Sequence, residues 1–121
     1  MTLVDTSVWV DHLRSDNARL RSLLLDDVVY CHPFIVGELA CGNLRNRAEV
    51  IRLLSGLPMC QVVAHQDVME FVESKHLYGR GIGWIDAHLV AASFVAGIQL
   101  WTNDKNLRAI AEDLKVAASR S

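Results

Sequence analysis

Residues 2–7 read TLVDTS, a short β-favouring run that ends in an acid, Asp5, followed by two hydroxyl side chains. A helical pattern, SVWVDHLR, begins just after this acid. A strand that passes at once into a helix is typical of α/β proteins, in which ligands bind at the carboxyl ends of the strands. Asp5 is therefore either a helix N-cap or part of a ligand site at that edge.

The same alternation of strand and helix patterns continues along the chain. Strands are predicted at residues 2–5, 28–31, 60–64 and 98–102, with a short last strand at 115–118. Helices are predicted at residues 7–14, 18–27, 33–42, 45–57, 66–80, 85–97 and 103–114. Because strands joined through helices form right-handed parallel units, we predict a three-layer α/β/α fold with a mainly parallel central sheet of four or five strands.

The composition indicates a single domain that spans residues 1–121, with 51% apolar residues to fill its core. The 12 basic and 14 acidic residues give a formal net charge of −2, so no overall positive field attracts nucleic acid. Three cysteines without a CxxC pair are typical of a reducing compartment. Asp5 interrupts any secretory signal, and no apolar stretch approaches the roughly 20 residues of a membrane span. We therefore expect a cytoplasmic protein that does not contact a membrane.

Four acids are expected to converge at one edge of the predicted sheet. Asp5 ends the first predicted strand, Asp104 lies just after the strand at 98–102, and Asp86 lies at the start of a nearly all-apolar helix. Glu38 lies in the second turn of the helix that a proline opens. Because helices begin beyond the carboxyl ends of parallel strands, we expect all four carboxylates to share one cleft.

Two explanations compete for these acids. Aspartate is a favoured N-cap, so capping alone accounts for Asp5, Asp86 or Asp104 taken singly. Glu38 fits capping poorly, because it lies in the apolar stretch PFIVGELA without a lysine or arginine within one helical turn. A divalent cation would offset the repulsion between four converging carboxylates, and ligands that are all oxygen favour Mg²⁺ or Mn²⁺ over zinc. The pattern therefore predicts a metal site.

Four motifs carry a resemblance to PIN-domain ribonucleases: VDTSVWVDHL, FIVGELACG, GIGWIDAHLVAAS and LWTNDKNLRAIA. They cover essentially the whole chain, and their order and spacing are similar to those of VapC-type toxins of toxin–antitoxin pairs. The resemblance implies a catalytic and metal-binding quartet of acids, Asp5, Glu38, Asp86 and Asp104. It also implies three supporting polar neighbours, Thr6, Ser7 and Thr102. Asn106 and Leu107 stand where family members often carry a further acid or an aromatic residue.

The resemblance also implies an activity and partners. It implies endonucleolytic cleavage of RNA with 5′-phosphate and 3′-hydroxyl products, supported by Mg²⁺ (or Mn²⁺) held mainly by Asp5 and Asp86. Glu38 or Asp104 would hold a second ion or orient the attacking water. A homodimer and a cognate VapB-type antitoxin that covers the cleft are implied as well. The candidates for RNA binding are four basic residues, Lys75, Arg80, Lys105 and Arg108.

Other classes of protein fit the sequence less well. An aspartyl-phosphate phosphatase would need a general-acid aspartate two residues after Asp5, where this chain has Ser7. A receiver-like Mg²⁺-binding module would need a phosphoacceptor at the end of the third predicted strand, but Asp67 falls two residues beyond the segment CQVVAH. A non-catalytic interaction module would be expected to have lost some of the acids. The loop GRGIG lacks the pattern of a nucleotide-binding P-loop.

Several further side chains receive structural interpretations. His88 lies two residues beyond Asp86, on a different helical face, and is not expected to be catalytic. The tryptophans are expected in the core or in an interface, although Trp84 is close enough to Asp86 to stack on a base. The arginine group that includes Arg19 is expected to form a solvated helix face.

Overall fold

A computed structural model describes residues 1–119 of the chain. Within these residues it contains three strands and seven helices, and every predicted helix is confirmed. The strands are β1 (Thr2–Val4), β2 (Val29–Tyr30) and β3 (Gln99–Trp101). The helices are α1 (Thr6–Ser15), α2 (Ala18–Leu25), α3 (Pro33–Ala40), α4 (Arg47–Ser55), α5 (His65–Ser74), α6 (Trp84–Ala96) and α7 (Lys105–Asp113).

The sheet is parallel throughout, with β1 in the centre and the strand order β2-β1-β3. Leu3 is paired with Tyr30 on one side and with Leu100 on the other. All three residues of β1 are buried, which is expected of a strand covered on both faces of a parallel sheet. The α/β class and the parallel sheet flanked by helices are therefore confirmed.

The number of strands differs from the prediction. Segments 60–64 and 115–118 were expected to be strands, but each region contributes a single parallel bridge, Cys31 with Met59 and Leu100 with Ala117. The first segment cannot extend its pairing, because in this register residues 61–64 would need partners in α3, whose backbone is helical. The predicted third and fifth strands are therefore replaced by one-residue extensions of the sheet in residues 1–119.

Helix α6 is the most deeply buried helix of the core. Its residues 87–93 are all buried, as the nearly all-apolar pattern predicts, and it packs against α5, α7 and β3. A second group of helices, α1, α3 and α4, is joined by contacts of α3 with both others. No helix in residues 1–119 is long and apolar enough to cross a bilayer.

The ends of the strands determine where the candidate site lies. Helix α1 begins directly after β1 with Asp5 at its N-cap position, and α7 begins after β3 with the side chain of Asp104 as its N-cap. The backbone N–H of Asp5 donates to the carbonyl of Trp101 at 2.9 Å, which fixes the end of β1 beside the end of β3. The first and the fourth acid therefore start from neighbouring points of one sheet edge.

Candidate active site

Asp5 is a buried carboxylate that does not cap its helix. It is 5% exposed, and its side chain makes no capping hydrogen bond to α1. Instead its Oδ2 accepts hydrogen bonds from Ser7 Oγ and from Thr102 Oγ1, both at 2.7 Å. Hydrogen bonds from two hydroxyl groups hold the carboxylate in one orientation and offset part of the cost of its burial.

The two hydroxyl groups join the ends of β1 and β3 into one network. Ser7 Oγ and Thr102 Oγ1 are 3.3 Å apart. The backbone N–H of Asn103 donates to Ser7 Oγ at 3.0 Å, and that of Asp104 donates to Thr102 Oγ1 at 3.0 Å. The predicted supporting role of Ser7 and Thr102 is therefore matched by their position against Asp5.

Glu38 is brought to the same edge by the third predicted supporting residue. Thr6 Oγ1 donates to Glu38 Oε1 at 2.7 Å, which ties α3 to the first turn of α1. The apolar sequence context of Glu38 does not bury its side chain. Glu38 lines a surface pocket with Phe34 and Cys41 but is exposed. Helix α3 buries Ile35 and Leu39 instead. The desolvated carboxylates of the quartet are Asp5 and Asp86.

Asp86 and Asp104 are fixed by the starts of two helices. Asp86 is the third residue of α6, and its Oδ2 accepts from the backbone N–H of Gly83 at 3.2 Å. Asp104 caps α7, with Oδ1 accepting from the N–H of Leu107 at 2.9 Å. Both acids therefore stabilise a helix start, as the capping explanation predicts for them.

The charges of the four acids act on one another. Burial raises the pKa of the Asp86 carboxyl, and the charges of Asp5, Asp104 and Glu38 raise it further. The hydrogen bond from Gly83 partly opposes this shift of the pKa. Since the three other carboxylates all act on Asp86, the acids predicted from distant parts of the sequence share one electrostatic neighbourhood.

The carboxylate oxygens of the four acids suit a magnesium ion that keeps some of its water ligands. In each of the four carboxylates one oxygen accepts a hydrogen bond from the protein, and no hydrogen bond of the described residues reaches the other oxygen. Across residues 1–119 no three acidic, histidine or cysteine side chains form a ready-made metal cage. Mg²⁺ is commonly held by one or two carboxylates with water in its other positions, so the arrangement fits such a site.

The predicted RNA-binding residues fall into two groups. Lys105 and Arg108 line a cavity of about 480 Å³ at the end of β3. Lys75 instead lies over the ring of Phe94, which is eight residues, or about 12 Å, along α6 from Asp86. Arg80 is paired with Asp113, at the far end of α7 from the acids. The structure therefore brings Lys105 and Arg108 to the site, and it places Lys75 and Arg80 away from it.

Sequence reasoning missed Arg19. It was assigned to a solvated helix face, yet it lines the same cavity, with its guanidinium 4.6 Å from the ring centroid of Trp101. This contact joins α2 to β3 across the fold, so no local spacing in the sequence could have revealed it. Asn17, Asn103 and Glu112 also line this cavity and were not singled out for binding. Asn17 directly precedes a predicted helix, and Asn103 lies within the motif LWTNDKNLRAIA.

An aromatic cluster lies beside Asp86. The His88 ring is buried between those of Phe34 and Trp84, at centroid distances of 4.8 Å from each. Burial lowers the pKa of His88, as does the nearby charge of His65. Trp84 is 40% exposed, unlike Trp9 and Trp101, which are in the core as expected. Trp84 is thus the one of the three tryptophans that is open to a ligand.

Asn106 holds the glycine-rich loop against α7. Its Nδ2 donates to the carbonyl of Gly81 at 3.4 Å, and a Cβ on Gly81 would come within 2.5 Å of that nitrogen. Gly81 also has a φ of +82°, which favours glycine. The residue that departs from the family pattern therefore serves as a contact between this loop and the helix that follows the fourth acid.

Comparison with known proteins gives concordant results. The sequence model of the PIN domain family matches residues 2–113. Two relatives, both named Ribonuclease VapC32 and from Mycobacterium tuberculosis strains CDC 1551 / Oshkosh and ATCC 25618 / H37Rv, are each 46% identical over 118 residues. Each alignment covers 97% of this chain and 95% of the relative. With its four acids at the carboxyl edge of a parallel sheet, the chain belongs to the PIN-domain family, in its VapC-type ribonuclease branch.

Proposed function

We propose that this chain is a Mg²⁺-dependent endoribonuclease and the toxin of a type II toxin–antitoxin pair. The observation that carries the proposal is the convergence of four carboxylates, one of which, Asp5, is buried and held by two hydroxyl groups without serving as a helix cap. The name of the relatives, ribonuclease, supports RNA as the substrate.

In the proposed reaction Asp5 and Asp86 would hold Mg²⁺, or Mn²⁺ in its place. The bound ion would polarise the scissile phosphodiester and lower the pKa of the attacking water. Ser7 and Thr102 keep the Asp5 carboxylate in one orientation, and Thr6 does the same for Glu38. Glu38 or Asp104 would hold a second ion or orient the attacking water from the exposed side of the cleft. The products are a 5′-phosphate and a 3′-hydroxyl.

The proposal includes partners and a compartment. The relatives' designation as VapC supports a cognate VapB-type antitoxin that blocks the cleft. Apolar side chains that are largely exposed, such as Leu25, Leu53 and Val95, are consistent with a homodimer and with antitoxin binding. The described cysteines are free thiols, which suits the reducing cytoplasm in which RNA is found. Light scattering of the purified chain would test the dimer by its mass.

The test is cleavage of total RNA by the purified chain with Mg²⁺, with a chelator and with the variant Asp5→Asn. Asp67→Asn is the matched control, because it removes an exposed carboxylate of α5 outside the quartet. We expect discrete fragments from the wild type and the control in Mg²⁺, and none with chelator or with Asp5→Asn. Equal cleavage by Asp5→Asn would overturn the assignment of the site.

The second candidate is a non-catalytic or receiver-like Mg²⁺-binding interaction module. The lack of a ready-made cage of three ligands in residues 1–119 is the observation in its favour, because a weak site need not support catalysis. The same preparation separates the two functions. A melting temperature that rises with Mg²⁺ while RNA stays intact would support the module.

A further inference from the structure

The cavity at the end of β3 directly adjoins the acidic cluster. Its wall includes Thr102 and Asn103, and Thr102 is the residue whose hydroxyl donates to Asp5 at 2.7 Å. With a volume of about 480 Å³, it is large enough for a phosphate together with part of a nucleotide. The carboxylates and the cavity are therefore two parts of one surface, joined through Thr102.

The charge of the cavity is opposite to that of the acids. Its lining contains the basic side chains Arg19, Lys105 and Arg108 against one carboxylate, that of Glu112. Arg108 Nε lies 3.7 Å from a Glu112 oxygen, and this buried nitrogen has no hydrogen-bond partner in residues 1–119. No ion pair within those residues includes Arg19 or Lys105. The cavity thus keeps a formal surplus of two positive charges.

Arg19 is held in place for binding. Its guanidinium lies over the buried ring of Trp101, a cation–π contact that restricts the side chain without using its N–H donors. A planar guanidinium that is already ordered donates two parallel hydrogen bonds to a phosphate and loses little entropy on binding. The amides of Asn17 and Asn103 on the same wall supply further hydrogen-bonding groups.

We infer that this cavity binds a backbone phosphate of the RNA strand adjacent to the phosphate that is cleaved, with Arg19 as its principal contact. The inference rests on the proposed function, because it takes the strand to pass over the acids. A chain with a net charge of −2 and four clustered carboxylates repels RNA, so a local positive cavity next to them is needed to hold the strand. Lys105 and Arg108 complete the cationic wall.

The test measures RNA binding without cleavage, in the background Asp86→Asn. A short single-stranded RNA of mixed sequence is titrated over a series of salt concentrations. For Arg19→Gln combined with Lys105→Gln we expect affinity to fall about tenfold and the slope of log affinity against log salt to decrease by about 0.7, the value for one phosphate that is no longer neutralised on a single strand. Arg19→Lys combined with Lys105→Gln keeps the positive charge at residue 19 and should show a smaller decrease in slope than Arg19→Gln combined with Lys105→Gln.

Arg21→Gln is the matched control. It removes one charge from the same helix, but this arginine is exposed and is paired with Asp16 outside the cavity. We expect its affinity and salt slope to stay close to those of the background protein. In the cleavage-competent chain, Arg19→Gln combined with Lys105→Gln should raise KM about tenfold and Arg19→Gln alone should raise it less, both with kcat unchanged, as for contacts made equally in the ground and transition states.

Each other outcome overturns the inference in a recognisable way. If the cavity variants bind RNA with an unchanged salt slope while the wild type still cleaves, the subsite is wrong and the proposed function stands. If the background protein does not bind RNA and the wild type does not cleave it, both fail together. If an acidic peptide binds and loses affinity in the cavity variants while RNA binding is unchanged, the cavity is a protein-docking site.

Discussion

The ends of β1 and β3 present the same residue type in the same local position, yet the two aspartates behave differently. Asp104 is exposed, and its side chain caps α7 by accepting from Leu107. Asp5 is buried and is held by two hydroxyls, and it leaves its helix without a side-chain cap. The Asp104 carboxylate thus has a structural role as a helix cap, whereas the Asp5 carboxylate has no such role. Asp5 is a buried charge without a cationic partner in residues 1–119, which is costly unless a ligand offsets it.

The largest expected effect concerns Asp86, whose carboxylate is desolvated and close to the three other acids. For Asp86→Asn we predict a loss of RNA cleavage of more than about 100-fold, because removing even an outer-shell partner of a metal ligand typically costs 10–100-fold. The melting temperature of the metal-free protein should stay the same or rise, since one repulsive charge is removed. Cleavage rate and thermal denaturation of the same preparation check both parts.

His32 adds a third helix start to the comparison, because it is an N-cap that titrates. Its Nδ1 accepts from the N–H of Phe34 at 3.0 Å, and its ring is fully buried. Burial, with a smaller effect of His88, lowers its pKa from 6.5 to about 4. The unfolded chain therefore binds the proton first as the pH falls.

The stabilisation due to neutral His32 is complete above pH 6.5 and is lost as the pH falls towards about 4, with a total effect of about 3 kcal/mol. His32→Asn keeps a capping side chain and does not titrate. Urea denaturation at several pH values should show a smaller loss of stability on acidification in the variant. Parallel pH profiles for the two proteins would contradict this interpretation of His32.

Thr102→Val tests the network that distinguishes Asp5 from Asp104. The substitution removes one of the two hydroxyl donors to Asp5 and the acceptor for the N–H of Asp104. We expect metal affinity and cleavage to fall about 10–100-fold, as for other outer-shell partners of metal ligands. Thr6→Val is the matched control, because it removes the hydroxyl that donates to Glu38. We expect a smaller loss of metal affinity and cleavage for this variant, because the hydrogen bond between Thr6 and Glu38 is exposed.

The smallest effect is expected on the stability of Asp104 variants. Asp104→Ala removes the α7 cap and should lower the free energy of unfolding by about 1 kcal/mol, whereas Asp104→Asn should change it by only a few tenths. Asp5→Asn should not destabilise in this way, because Asp5 does not cap α1. Chemical denaturation of the three variants measures these changes in the free energy of unfolding. Equal decreases for Asp5→Asn and Asp104→Ala would contradict the proposed difference between the two aspartates.

The position of the candidate site was largely predictable because its aspartates lie at the ends of regular elements. Asp5, Asp86 and Asp104 follow strand ends or begin helices, so the topology alone brings them to one edge. The exposure of Glu38 was not predictable from its apolar neighbours, because α3 turns Ile35 and Leu39 inward and Glu38 outward. The orientation of a helix about its axis depends on which elements it packs against, and the sequence pattern of α3 was apolar on more than one face.

Long-range contacts account for the remaining differences. Residues 60–64 have a strand-like composition, but the strand they would join ends where Pro33 opens α3. Arg19 has an ordinary surface context in the sequence and reaches the candidate RNA cavity through its contact with Trp101. The missing strand at residues 60–64 and the position of Arg19 both depend on contacts with residues distant in the chain, and the periodicity of a sequence does not reveal such contacts.

The most direct test of the central claim is calorimetric titration of Mn²⁺, in the absence of RNA, into the wild type, Asp5→Asn and the control Asp67→Asn. Buried Asp5 should act as a metal ligand, so we predict binding by the wild type and the control and an affinity at least about tenfold lower for Asp5→Asn. Equal Mn²⁺ affinity in all three proteins would contradict the account and leave Asp5 as a buried carboxylate that only its two hydroxyl partners explain.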